Sequence, residues 1–191
     1  MRKLESQGAT TPTPRRRVRD LRRLEESDAD ELYRLIDANR AYLAPWLPWA
    51  EAQTHEGTVE FIRMIRRQEA SNDGFQAALT FDDRIVGMIG FHGVNWPHGS
   101  TTIGYWLDER HQGRGLMTRA VRQLMDHAFR VWDLHRVEIQ AAVDNHRSRA
   151  IPERLGFRDE GVRREAERIG DGYKDLVVYA MLAPEWVQED A

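Results

Sequence analysis

The chain has 191 residues, 41% hydrophobic and 31% charged, the balance of one soluble globular domain rather than of a disordered or membrane protein. A formal net charge of −3 gives no electrostatic case for nucleic acid, which needs a basic surface to release counterions. Zero cysteines exclude disulfides, cysteine-ligated zinc and a cysteine nucleophile, and the 7 histidines show no metal-ligand spacing, so no metal is expected.

Residues 1–15 mix Ser, Thr, Pro, Gly and charge without periodicity and read as a disordered N-terminal tail. Arg15, Arg16 and Arg17 have no apolar run behind them, so no export signal is expected and the protein reads as cytoplasmic. One domain is expected over 16–184, with 185–191 as a C-terminal tail. Val18 to Arg22 predicts a first strand, and Ser27 an N-cap for a helix whose apolar face is Leu32, Leu35 and Ile36. Pro45 and Pro48 close that region. A second helix is predicted over 58–70, with Val59, Phe61, Ile62 and Ile65 inward. Strands follow over 75–81 and 84–94, joined at Asp82 and Asp83, and a third over 101–107. A glycine-bearing loop then leads into a helix over 115–131, a strand over 134–143 and a short helix over 148–155. Two last strands flank Gly170-Asp171-Gly172, the second running over 173–182.

The most informative stretch is Gln112-Gly113-Arg114-Gly115-Leu116-Met117, between a strand and a helix. Two glycines let successive N–H groups point into one concavity, and the helix adds its positive end, so the place suits a phosphate or pyrophosphate. It is not a P-loop, which needs Lys and Ser or Thr after its last Gly. Nor is it a dinucleotide fingerprint, because Thr118 stands where a third Gly is required. A plain helix-capping turn is the alternative reading. One helix and one strand later comes Asn145-His146-Arg147-Ser148, followed by Leu155-Gly156-Phe157. Here too Asn145 and Ser148 read equally as caps of the short helix.

The loop resembles the acyl-CoA signature of the GNAT N-acetyltransferase superfamily: Gln or Arg, any, any, Gly, any, Gly or Ala. Gln112 and Gly115 match it, and Met117 departs from the final small residue. The Asn145–Ser148 segment with Leu155-Gly156-Phe157 resembles the second half of the same cofactor site. Pro45-Trp46-Leu47-Pro48-Trp49 and the hairpin from Arg168 to Asp175 are similar to the RimJ/RimL-like branch, and the resemblance covers about residues 16 to 184.

The resemblance implies an α/β fold with a mixed, mostly antiparallel seven-stranded sheet, splayed central strands and about four flanking helices. It implies acetyl-CoA as co-substrate and direct attack by an amine. Trp106 and Leu107 on the splayed strand supply N–H groups toward the thioester carbonyl. Gln112, Gly113, Arg114, Gly115, Leu116, Met117 and Thr118 hold the pyrophosphate, the Met117 side chain turning into the sheet. Asn145 contacts pantetheine, Ser148 is the candidate general acid, and Glu167 corresponds to a candidate base, with a solvated carboxylate as its plainer reading. Tyr42, Trp46 and Trp49 wall the acceptor pocket or plug the core. His111, beside the loop, is the histidine to inspect, its ordinary reading being a surface residue.

Deprotonating an α-amine of pKa about 8 costs roughly 1 kcal/mol at pH 7, against about 4.6 for a lysine near 10.4. The branch implies a protein N-terminus as acceptor. An antibiotic, polyamine or amino acid is the alternative, and a non-catalytic acyl-CoA-binding module is the reading from another class. Some relatives form dimers, which puts a homodimer among the expectations.

Overall fold

The computed structural model describes residues 21–186. The expected tail over 1–15, the start of the domain at 16 and the first part of the strand from Val18 lie outside the described residues; what is seen of that strand is β1 (Leu21–Arg22). β2 (Gln76–Phe81) and β3 (Arg84–Asn95) are continuous buried runs, covered on both faces, and the link between them is tight because Asp82 and Asp83 both take left-handed backbone, at φ 48° and 59°. β3 pairs in turn with β4 (Ser100–Leu107).

The 3.6-residue period takes over in α4 (Leu116–Arg130), after the α-helices α1 (Ala29–Ala38), α2 (Arg40–Leu43) and α3 (His55–Ala70). β5 (Arg136–Ala142), α5 (His146–Arg154), β6 (Arg158–Ile169) and β7 (Gly172–Leu182) complete the order. The sheet has seven strands in the order β1-β2-β3-β4-β5-β7-β6. β4 with β5 is the one parallel pairing in this sheet, and α4 carries the chain across between the two strands; every other pairing is antiparallel.

One sheet face packs Leu79, Phe91, Ile103, Val137, Ile139 and Tyr179 against Leu116, Val121, Leu124 and Met125 of α4. The other packs Ala78, Ile85 and Met88 against Leu32 and Ile36 of α1 and Ile62 and Ile65 of α3. Full burial of each such Leu, Ile or Val contributes about 1.5–3 kcal/mol. These two layers pin β2, β3 and β4 from both sides and leave the far ends of β4 and β5 to diverge.

Several boundaries differ from the expectations. Ser27 is not a helix cap: it lies within a 3-10 turn, Glu26–Asp28, and Asp28 occupies the position before α1. The second helix starts three residues earlier than predicted, because the Thr54 hydroxyl accepts the Gly57 N–H at 3.0 Å. A short helix, α2, precedes the prolines and makes the α-helices five rather than four. At the other end, Trp186 donates its Nε1–H to Asp126 at 2.9 Å, so packing extends beyond residue 184. No helix among the described residues is long and apolar enough to cross a membrane.

Candidate active site

β4 and β5 are partners only from Ser100 opposite Arg136 to Ile103 opposite Ile139. Beyond that point β4 continues against β3 alone and β5 against β7 alone, so the two central strands splay. The Asp108 N–H donates to the Val86 carbonyl at 2.7 Å, and the Trp106 carbonyl faces Gly87, where a Cβ would stand 2.3 Å from it. Alternation therefore turns the Trp106 N–H toward β3 and the Leu107 N–H into the cleft. The two backbone candidates on this strand thus separate, and Trp106 faces the site with its indole, 6.1 Å from the ring of Trp49.

At the top of the cleft lies the glycine loop. Gly113 and Gly115 take φ 72° and 70°, the left-handed region that costs other residues about 1–2 kcal/mol. Gly115 is the N-cap of α4. From Gly113 to Thr118 no backbone N–H has an intramolecular acceptor among the described residues; the first helical bond is Arg119 N–H to the Gly115 carbonyl at 3.1 Å. Six consecutive donors at a helix start suit an anion. Met117 is 4% exposed and belongs to the core beneath, so its amide stays in the loop while its stem turns away, as expected. Side chains brace the loop. The Gln112 amide donates to the Tyr42 hydroxyl and accepts from Arg147 at 2.8 Å, and Arg154 donates to the Thr118 hydroxyl at 3.1 Å. Arg114 lies over the Phe81 ring, 5.2 Å from its centroid.

Asn145 is the N-cap of α5, accepting the Ser148 N–H on Oδ1 at 3.1 Å. Both residues also line the cleft, so the cap leaves them facing it. Pro152 sits four residues after Ser148 inside α5 and has no N–H, so the Ser148 carbonyl lacks its helical donor. Tyr105 replaces it, donating its hydroxyl to that carbonyl at 3.0 Å, while Ser148 Oγ lies 3.4 Å from the same phenol. Burial pushes the Tyr105 phenol well above its ordinary range, so it stays protonated. Tyr105 was not singled out in the sequence, where it reads as one aromatic in a strand.

The cleft widens into a cavity of about 1550 Å³. That exceeds the roughly 300–1,000 Å³ of a single drug-sized ligand site, leaving room for a long cofactor and an acceptor together. Tyr42, Trp46 and Trp49 line it rather than plug the core, Trp49 being 38% exposed. Its imidazole is His92, on β3, and its carboxylates are Glu167, on β6, and Glu109, just before the glycine loop. The His92 ring fills the space in front of Gly104, where a Cβ would stand 1.8 Å from Nε2. Only glycine permits that approach. Desolvation lowers His92 below the usual imidazole range, so it is neutral at pH 7. Burial raises the half-buried Glu167 above the usual carboxylate range. His111 instead bonds Asp108 at 2.5 Å, half-buried and off the cavity wall, so the histidine of interest is His92.

The model of the Acetyltransferase (GNAT) domain matches residues 19–158. The chain belongs to the GNAT acetyltransferase family. It is 40% identical to the putative ribosomal N-acetyltransferase YdaF of Bacillus subtilis (strain 168), covering 88% of this chain and 93% of that one. It is 31% identical to the ribosomal-protein-serine acetyltransferase of Escherichia coli (strain K12), over 85% and 92% of the two chains. A solved structure of RimL, the ribosomal L7/L12 alpha-N-protein acetyltransferase in complex with coenzyme A, superposes with a TM-score of 0.81 at 29% identity, over 85% of this chain and 92% of that one. This member of the family is therefore an acetyl-CoA-dependent acetyltransferase, and its unpaired loop amides and long cleft fit that co-substrate. Among the described residues no cluster of metal-ligating side chains occurs.

Proposed function

We propose that this enzyme acetylates the α-amine of a protein N-terminus, acting in the cytoplasm. The observation that carries the reading is Glu167, a half-buried carboxylate of raised pKa on the wall of a cavity with room for the cofactor and an acceptor together. A carboxylate raised by burial is a stronger base than an ordinary one, and an α-amine asks little of it, about 1 kcal/mol to deprotonate at pH 7. The relatives named for ribosomal proteins support a protein acceptor.

The amides from Gly113 to Thr118 hold the pyrophosphate, with Arg114 adding charge. Asn145 contacts pantetheine from the start of α5. Acetyl-CoA supplies an activated acyl group whose leaving thiol has a pKa of about 8.5. The Leu107 N–H, turned into the cleft, donates to the thioester carbonyl and stabilises the charge that grows there. Glu167 takes the proton of the attacking amine, and Ser148 returns one to the departing sulfur, its hydroxyl held by Tyr105. Tyr42, Trp46 and Trp49 exclude water around the acceptor.

Free-thiol release measured with peptides beginning Ala, Ser or Met, against N-blocked lysine peptides and polyamines, tests this reading. Release with the free-N-terminal peptides is expected, with the acetyl group on the first residue by mass spectrometry. Turnover confined to polyamines would sink it, and coenzyme A binding without thiol release for any amine would point to a binding module instead.

A further inference from the structure

Lys174 lies between two carboxylates and bonds only one of them. In the β6–β7 ladder it stands directly opposite Glu167. Opposite residues of an antiparallel pair share a face with Cβ atoms about 4.5–5.5 Å apart, within reach of an ion pair. The ammonium instead bonds Asp144, in the turn after β5, at 2.6 Å, and stands 5.3 Å from the centroid of the Trp46 ring. Since β7 runs between β5 and β6, Asp144 and Glu167 compete for one cation from opposite sides. Lys174 is the only lysine after Lys3, so no second lysine can take its place. Glu167 makes no ion pair among the described residues, and burial is the cause of its raised pKa.

We propose that Asp144 is a positioning residue for acetyl transfer: by holding the Lys174 ammonium under Trp46, it keeps Glu167 without a cation partner and basic enough to take the proton of the acceptor amine. This rests on Glu167 being the base. A cation beside a carboxylate lowers its pKa by about 1–3 units, which would return Glu167 to an ordinary, weaker base. Other titratable groups on the cavity wall are His92 from β3, Tyr42 from α2 and Tyr105 from β4. The charged ones are Glu109 and Arg114 beside the glycine loop, Arg119 on α4, and Arg147 and Arg154 on α5. None of these is the cross-strand neighbour of Glu167, so Lys174 is the cation that Asp144 controls.

The test is Asp144→Asn in the full chain, with Glu167 followed by carboxyl carbon NMR, its resonance assigned from Glu167→Gln, and kcat/KM followed against pH. In Asp144→Asn, Lys174 is expected to turn to Glu167. The Glu167 titration and the acidic limb of kcat/KM then both move down by about one pH unit. Adding Lys174→Met to that variant removes the cation and restores both to their original positions. An unmoved Glu167 titration in Asp144→Asn would overturn the proposal whatever Glu167 does in the reaction. A titration that moves while the acidic limb stays would instead show that Glu167 is not the base, and would withdraw the role of Asp144 with it. Lost activity with no shift of either quantity, unrestored in the double variant, would mark Asp144 as merely structural and equally end the proposal.

Discussion

The Tyr105 hydroxyl donates to the Ser148 carbonyl at 3.0 Å, in the place of the helical N–H that Pro152 lacks. A break in one helix thus fixes the candidate acid to the splayed strand. In the same contact the Ser148 hydroxyl stands 3.4 Å from the phenol.

Ser148→Ala keeps the helix and the Asn145 cap, because the cap uses the backbone N–H of residue 148. The expected outcome is a fall in kcat of about 10²-fold, at the low end for proton transfer because a thiolate leaves readily. Coenzyme A affinity by calorimetry should hold. A kcat equal to that of the parent enzyme removes Ser148 from the proton path.

Met117 departs from the small residue of the family signature, yet its side chain is in the core. Met117→Ala should lower stability by about 2–5 kcal/mol in denaturant unfolding, through the cavity it leaves. Since alanine keeps the loop amide, coenzyme A binding below the melting range should change little. A large loss of affinity in a folded variant would mean that the thioether itself touches the cofactor.

Burial raises the Glu167 pKa, so the folded protein holds that proton at a higher pH than the unfolded chain does. Stability therefore falls as pH rises through the interval between the unfolded value, about 4.3, and the raised folded one. Glu167→Gln should melt higher than the parent at pH 7 and lose that advantage below about pH 4. Its kcat/KM should drop by about 10²-fold or more, with the Glu167 acidic limb gone. An unchanged pH profile excludes it as the base.

His127 is packed edge-on against Phe75, with ring centroids 5.2 Å apart, and against Trp132 at 4.6 Å. Desolvation lowers its pKa. A histidine depressed in the folded state contributes its full stability above the unfolded value of about 6.5 and loses it as pH falls toward the folded value. The melting temperature should drop between pH 7.5 and pH 5.5, and His127→Phe should reduce that drop. An equal drop in both proteins would place the acid sensitivity elsewhere.

The element order and the glycine loop were legible in the sequence because their signals are local. Periods of 2 and 3.6 mark strands and helices, Asp82-Asp83 marks a tight link, and two glycines before an apolar helix mark an anion cradle. Asn145 and Ser148 were legible for the same reason, as a cap lying three residues before its partner.

Which distant groups face one another is set by packing. Whether Trp106 or Leu107 turns its N–H to the cleft depends on the phase of the β3–β4 ladder, set by the bond from Asp108 to Val86. Tyr105 and His92 looked like ordinary strand residues until chain folding put one beside Ser148 and the other in front of Gly104. Glu167 gained its raised pKa from burial, a property of the assembled sheet and its cover, not of the charged run around it. Backbone preference is written within a few neighbouring residues, whereas desolvation and pairing across strands exist only once segments far apart in the chain have packed together.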